Sequence, residues 1–188
     1  MAQGFRSTRR GITARFEEPE KQLLQKLFAD VARTLAPEEE ADAAEDSLEE
    51  LLGVSPGASA PEDSALRRLL PDGSADPGRA AEFRRYTERG LREDKRAVLR
   101  QAALALETQP VRLDPGQAQA FGRALNDVRL VLAERLGIRS EEDAQRVGRH
   151  DDWSAVEDVE AYMSLLYNFV SWLQESLMAA LLHDMPRD

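Results

Sequence analysis

The chain has 188 residues, 42% of them hydrophobic and 32% charged, with a formal net charge of −10 at pH 7. It contains no Cys, which excludes disulfides, thiol catalysis, iron–sulfur clusters and thiolate metal sites. The acidic balance disfavours non-specific binding to nucleic acid as a property of the whole molecule. No segment reaches the ~20 apolar residues of a membrane span and the N-terminus has no apolar run of signal-peptide length, so the expected location is the cytoplasm.

Residues 4–16 place Phe5, Ile12 and Phe16 among Thr8 and Thr13, with Arg10-Gly11 between them. This pattern predicts a short β-hairpin. It carries Arg6, Arg9, Arg10 and Arg15. Two readings stay open: a solvated hairpin that caps one end of a helical bundle, or a basic wing for nucleic acid or an acidic partner. Glu17-Glu18-Pro19-Glu20 then opens a helix, since Pro fits a first turn and acids there complement the helix dipole. Leu23, Leu24, Leu27, Phe28, Val31 and Leu35 form its apolar face, and Pro37 ends it. Eight acids and no base follow within 38–50. A block of this kind repels itself, so a mobile acidic and Pro/Gly-rich segment is expected over about 38–64.

A short helical piece is expected at 65–70, stopped by Pro71-Asp72-Gly73, and a long helix over about 79–107. The long helix has Phe83, Tyr86, Leu91, Val98, Leu99, Ala102, Leu104 and Leu106 as its apolar positions. Arg85, Arg89, Arg92, Arg96 and Arg100 recur at helical spacing on what is read as its solvent side, with Arg84 beside them. We take Arg84, Arg85, Arg89, Arg92 and Arg96 as the candidate partner surface. The competing readings are a solvated face relieved by Glu82, Glu88, Glu93 and Asp94, or a dock for the chain's own acidic segment. Gly90 in mid-helix costs roughly 1 kcal/mol relative to Ala and marks a close approach or a bend.

Residues 109–113 read as an extended connection. Asp114 and Pro115 are an N-cap and a first helical residue, and Gly137 closes the helix they start. Ser140 opens a short acidic turn or helix. The last helix is expected over 153–183, entered by a capping box of Ser154 and Glu157. Val159, Met163, Leu166, Val170, Leu173, Leu177 and Leu181 make one apolar row; Tyr162, Leu165, Phe169, Trp172 and Ala179 make a second. Two rows require two neighbours, which predicts a central position. The expected architecture is mainly α: one helical domain over 1–188, bundled around a long C-terminal helix, with a short N-terminal β-hairpin.

No catalytic constellation emerges. There is no phosphate loop, no dinucleotide glycine fingerprint and no nucleophile elbow. The two His are His150 and His183; His150-Asp151-Asp152 is read as a helix start before it is read as a metal or acid–base site, and His183 sits where a helix C-terminus favours it. No metal, no cofactor and no enzyme are expected. Polar residues Ser164, Asn168, Ser171 and Glu175 line one side of the last helix beside Gln174, and Asn126, Asp127 and Arg129 interrupt the apolar stripe of the preceding long helix. These form a candidate polar seam, Arg129 or Arg123 pairing with Glu175 and Asn126 bonding Gln174 or Asn168, which fixes helix register; the alternative is a ligand pocket.

Three segments carry a resemblance. They are Leu69-Leu70-Pro71-Asp72 with Ala81-Glu82-Phe83-Arg84-Arg85-Tyr86-Thr87-Glu88 and Leu91-Arg92; Ala124-Leu125-Asn126-Asp127-Val128-Arg129-Leu130 with Leu136-Gly137; and Trp172-Leu173-Gln174-Glu175-Ser176-Leu177. Together with the hairpin and the acidic helix after it, they resemble the actinobacterial oxidative-stress transcriptional regulator family (AosR-like), long known only as a domain of unknown function. The resemblance covers nearly the whole chain, least at 38–64. It implies a cytoplasmic, non-enzymatic regulator of redox homeostasis and of sulfur and cysteine metabolism, acting by contact with a stress sigma factor and RNA polymerase, with DNA reached only indirectly. The missing Cys departs from a thiol switch and leaves partner binding as the role that carries over. The alternatives are a direct DNA-binding regulator, and a dimeric adaptor or scaffold built on surplus apolar surface of the last helix.

Overall fold

The computed structural model describes residues 2–9, 11–36, 59–149, 153 and 158–184. Among them are β1 (Gln3–Thr8), β2 (Gly11–Arg15), α1 (Glu18–Thr34), α2 (Ser64–Leu69), α3 (Pro77–Ala105), β3 (Val111–Leu113), α4 (Pro115–Arg135), α5 (Glu141–Gly148) and α6 (Val159–Asp184). The fold is therefore a mainly helical bundle with a small N-terminal antiparallel sheet and a long C-terminal helix. No helix among the described residues is long and apolar enough to cross a membrane. Pro37, the acidic block at 38–50, most of the loop after it, His150-Asp151-Asp152 and the capping box of Ser154 and Glu157 lie outside the described residues. The expected mobile segment does not extend to 64, because Asp63 accepts from the Ala65 amide and α2 starts at Ser64.

Local chemistry explains most boundaries. Glu17 and Glu20 form a reciprocal capping box around Pro19 at the start of α1. Asp114 and Gln117 do the same around Pro115 at α4, and Asp76 caps α3 ahead of Pro77. Gly137 ends α4 with φ +66. Its amide donates to Glu134 O, and the Ile138 amide donates to Ala133 O, the paired bonds of a Schellman motif. The last helix begins at Val159, later than expected, where Asp158 Oδ1 accepts from the Ala161 amide at 2.8 Å.

The hairpin gains a third strand. The extended connection at 109–113 contributes β3, which pairs antiparallel with β2 in the order β1-β2-β3. Gly11 permits this: its φ is +101, and a Cβ there would stand 2.7 Å from Leu113 O. Phe5, Ile12, Ala14, Val111 and Leu113 point inward and are buried. Arg6, Arg15 and Arg112 point outward, the alternation of a sheet with one wet face.

Phe121 of α4 ties the layers together. Its ring meets Phe5 edge-on at 5.2 Å and Phe28 of α1 at 5.5 Å, favourable geometries for aromatic pairs. α4 packs against α6, α3, α2, α1 and the sheet, while α6 packs on α4, β1, β2 and α5. The two apolar rows of α6 fare differently. Leu166, Val170, Leu173 and Leu177 of the first row are buried, but Tyr162, Trp172 and Ala179 of the second are exposed. Leu165 of the second row is buried as well, so α6 has α4 and β1 as its two main neighbours, and only the outer part of the second row lies uncovered among the described residues. A satellite cluster of Leu136, Ile138 and Val147 closes the far end against Met163 and Tyr167.

Candidate functional site

The candidate basic row lies on α3, whose position follows from two contacts. Phe16 N donates to Gln109 Oε1, so α1 starts beside the end of α3. Arg92 Nη1 donates to Leu35 O at the end of α1. The helices are antiparallel, and the part of α3 before Arg92 continues beyond α1 as an arm of about 22 Å at 1.5 Å per residue.

On this arm the expected faces are inverted. Arg84 and Arg92 turn inward, with side chains only 10% and 15% exposed. Arg84 pairs with Asp72 and, at 3.4 Å, with Glu88. Arg92 pairs with Glu88 at 2.7 Å. Arg85 and Arg96 are half-buried, and Arg85 Nε is buried without a hydrogen-bond partner. Arg89 is exposed and pairs with Glu93 at 3.3 Å, and Arg100 is exposed. The row is thus no free cationic stripe on the solvent side. It is mainly an ionic underside, and the physical reason is what lies beneath: carboxylates from the α2–α3 connection and α3 itself, and a helix-terminal carbonyl, all of which attract cations.

The outer side of the arm holds what was read as core. Phe83 is 52% and Tyr86 61% exposed, and Leu91 is exposed at the flank. Phe83 lies over Gly73, whose hypothetical Cβ would fall 2.4 Å from the ring. Phe83, Tyr86 and Gly90 share one helical face at spacings of three and four. Gly90 makes no close approach; a Cβ there would meet nothing within 4 Å. Two aromatic side chains thus stand in water on a helix whose other side is ion-paired. Periodicity alone missed them, because an apolar row reads the same whether core or partner covers it.

The candidate polar seam is split among three neighbours. Asp127 is buried and accepts from Lys95 Nζ of α3 at 2.7 Å, so it faces away from α6. Gln174 Nε2 donates to Asn126 Oδ1 at 3.5 Å, a long bond. Asn168 Nδ2 donates to Val147 O at 3.0 Å and ties α6 to α5. Ser164 caps back onto Glu160 O within its own helix. Arg129 is half-buried and Glu175 exposed; no ion pair joins Glu175 to Arg123 or Arg129 among the described residues. Ser171 Oγ and Gln174 Oε1 are buried without partners. These side chains hold helices in register without converging on a cavity.

Other carboxylates are tuned by structural pairs. Arg139, with both Nη atoms 2.6 Å from Glu134, holds the Glu134 carboxyl below its usual range. Asp63 also lies low: burial pushes it up, but Arg135 and the α2 amides outweigh that. Among the described residues no group of His, Asp and Glu could hold a metal ion.

The model of the family described as "Domain of unknown function (DUF2017)" matches residues 2–181, so the chain belongs to that family. No curated protein and no solved structure matches it.

Proposed function

We propose that this protein is a non-enzymatic transcriptional regulator that works by protein–protein contact, with the aromatic face of the α3 arm as its docking surface. The carrying observation is the pair Phe83 and Tyr86, exposed on a helix whose underside is pinned by the Arg84–Glu88–Arg92 ion pairs. A helix already held in place does not have to be ordered on binding, so its exposed aromatics can anchor an interface at low entropic cost. The resemblance to oxidative-stress regulators supplies the partner class: a stress sigma factor with RNA polymerase in the cytoplasm, on genes of oxidative stress and of sulfur and cysteine metabolism. DNA is then reached through the polymerase. The test is capture of purified RNA polymerase, with and without a stress sigma factor, on immobilised protein. Wild type retains the holoenzyme, and Phe83→Ser with Tyr86→Ser loses it while the melting temperature stays within a degree or two. Equal capture by both removes the arm from the interface.

A second reading has its own observation. Trp172, stacked on Phe169 at 6.2 Å, and Tyr162 are exposed on α6, and a second copy of the chain would cover them in a dimeric adaptor. Sedimentation separates the two readings: a dimer abolished by Trp172→Glu supports the adaptor, and a wild-type monomer at micromolar concentration ends it.

A further inference from the structure

The outward face of the sheet carries a feature that partner docking does not use. In the strand register, Arg6 stands opposite Thr13 and Thr13 opposite Arg112, so two guanidiniums flank a hydroxyl across three strands. At about 4.8 Å between neighbouring strands, the two Arg backbones are roughly 10 Å apart. Arg15 lies two residues along β2 on the same face. Arg6, Thr8, Thr13, Arg15 and Arg112 line a shallow depression of about 280 Å³.

None of these three arginines has a carboxylate within 4.0 Å among the described residues. Arg67, Arg79, Arg100, Arg123 and Arg129 likewise show no carboxylate partner among the described residues, so what sets this face apart is that three such side chains share it. Elsewhere Arg33 pairs with Asp30, Arg68 and Arg139 with Glu134, Arg135 with Asp63, and Arg146 with Asp143. Like charges gathered on one face repel, and no carboxylate among the described residues offsets that here.

We infer that this face binds a compact, multivalent phosphate anion of the diphosphate class. Guanidinium forks match phosphate oxygens two at a time, and three of them around a threonine hydroxyl suit two or more linked phosphates better than a single carboxylate. A nucleic acid fits the face poorly. Phe5 and Phe16 are buried on the other side of the strands, so the face has no ring on which a base could stack. The net charge of −10 also repels a long polyanion far more than a small one. This inference stands independently of the docking arm.

The experiment is isothermal titration with sodium pyrophosphate at fixed ionic strength, with sulfate as the monomeric comparison. Wild type shows saturable 1:1 binding that sulfate does not reproduce. Arg6→Gln with Arg112→Gln weakens it at least tenfold, Arg15→Gln alone weakens it measurably, and Arg33→Gln on α1 leaves it unchanged. Circular dichroism verifies the fold of each variant, and Arg15→Gln carries the test if the double variant does not fold. Absence of saturable pyrophosphate binding overturns the inference, as does wild-type affinity in both the Arg15→Gln variant and the double variant. Salt-dependent binding of duplex DNA, lost in the double variant and not accompanied by pyrophosphate binding, also overturns it and assigns the face to nucleic acid.

Discussion

The ion pair between Lys95 and Asp127 offers the sharpest test of how the bundle is held together. Asp127 sits mid-helix in α4 with a side chain only 5% exposed, while Lys95 keeps 22% of its surface. The asymmetry sets the magnitudes. Lys95→Met strands a buried carboxylate and is expected to cost about 3 kcal/mol, the lower end for breaking a buried pair. Asp127→Leu strands an ammonium that can still reach water along its stem, so roughly 2 kcal/mol is expected. The double variant exchanges the pair for apolar contact and is expected to lose roughly 2 kcal/mol, far less than the singles added together. Chemical denaturation read by circular dichroism gives all three values, and the coupling between the sites then comes to about 3 kcal/mol. For a chain of this size the Lys95→Met loss is a drop of roughly 6–12 °C in Tm. Additive single variants, or a Lys95→Met loss under about 1 kcal/mol, would show that water reaches Asp127 and that the pair is an ordinary surface contact.

Three further outcomes follow from the same geometry. The Glu134 carboxyl titrates below its usual value of 4.5 in the fold because Arg139 holds it ionised; its stabilising contribution is present above that value and disappears as pH falls through the lower folded pKa, so Glu134→Gln should flatten the acid limb of a Tm-against-pH curve. Gly11→Ala is expected to cost more than ~2 kcal/mol, because strain at positive φ adds to a clash with Leu113 O; Gly137→Ala, at positive φ but in open space, should cost only ~1 kcal/mol by the same denaturation assay. Asn126→Ala should cost under ~1 kcal/mol, since its bond to Gln174 is 3.5 Å long; a loss above 2 kcal/mol would mean the seam is tighter than its geometry.

Helix starts were the most legible feature of the chain. Asp114-Pro115 and Glu17 to Glu20 each specify a cap through atoms within three residues, so the local sequence is enough; Asp76-Pro77 does the same, two residues before the start expected at 79. Strand β3 was not legible as a strand because three residues after Pro110 carry no period; its pairing is decided by β2, about a hundred residues away. The α3 arm was misread for a related reason. Periodicity identifies which residues share a face and is silent on which face turns inward. In Leu99, Ala102 and Leu106 the apolar side is the buried one; before Arg92, where α1 has ended, Asp72, Glu88 and a carbonyl make the charged side the inner one. The sheet site was only half visible: Arg6 and Arg15 stood out in the hairpin, but Arg112 joins them only through the register of β3. Asp127 was recognised as an interior polar group and assigned to the wrong neighbour, since several helices surround α4.

The bond from the Phe5 amide to Ser176 Oγ spans 171 residues, and it sets a schedule for the nascent chain. The hairpin is made well before the hydroxyl that holds its edge. At about 5–20 residues per second, the ribosome needs roughly 9–34 s to deliver it. Throughout that interval the Phe5 amide lacks this acceptor, although the Phe5 ring has Phe16 and then Phe121 to pack against. Closure therefore waits for α6: the edge of the hairpin is held only once the helix that carries Ser176 exists.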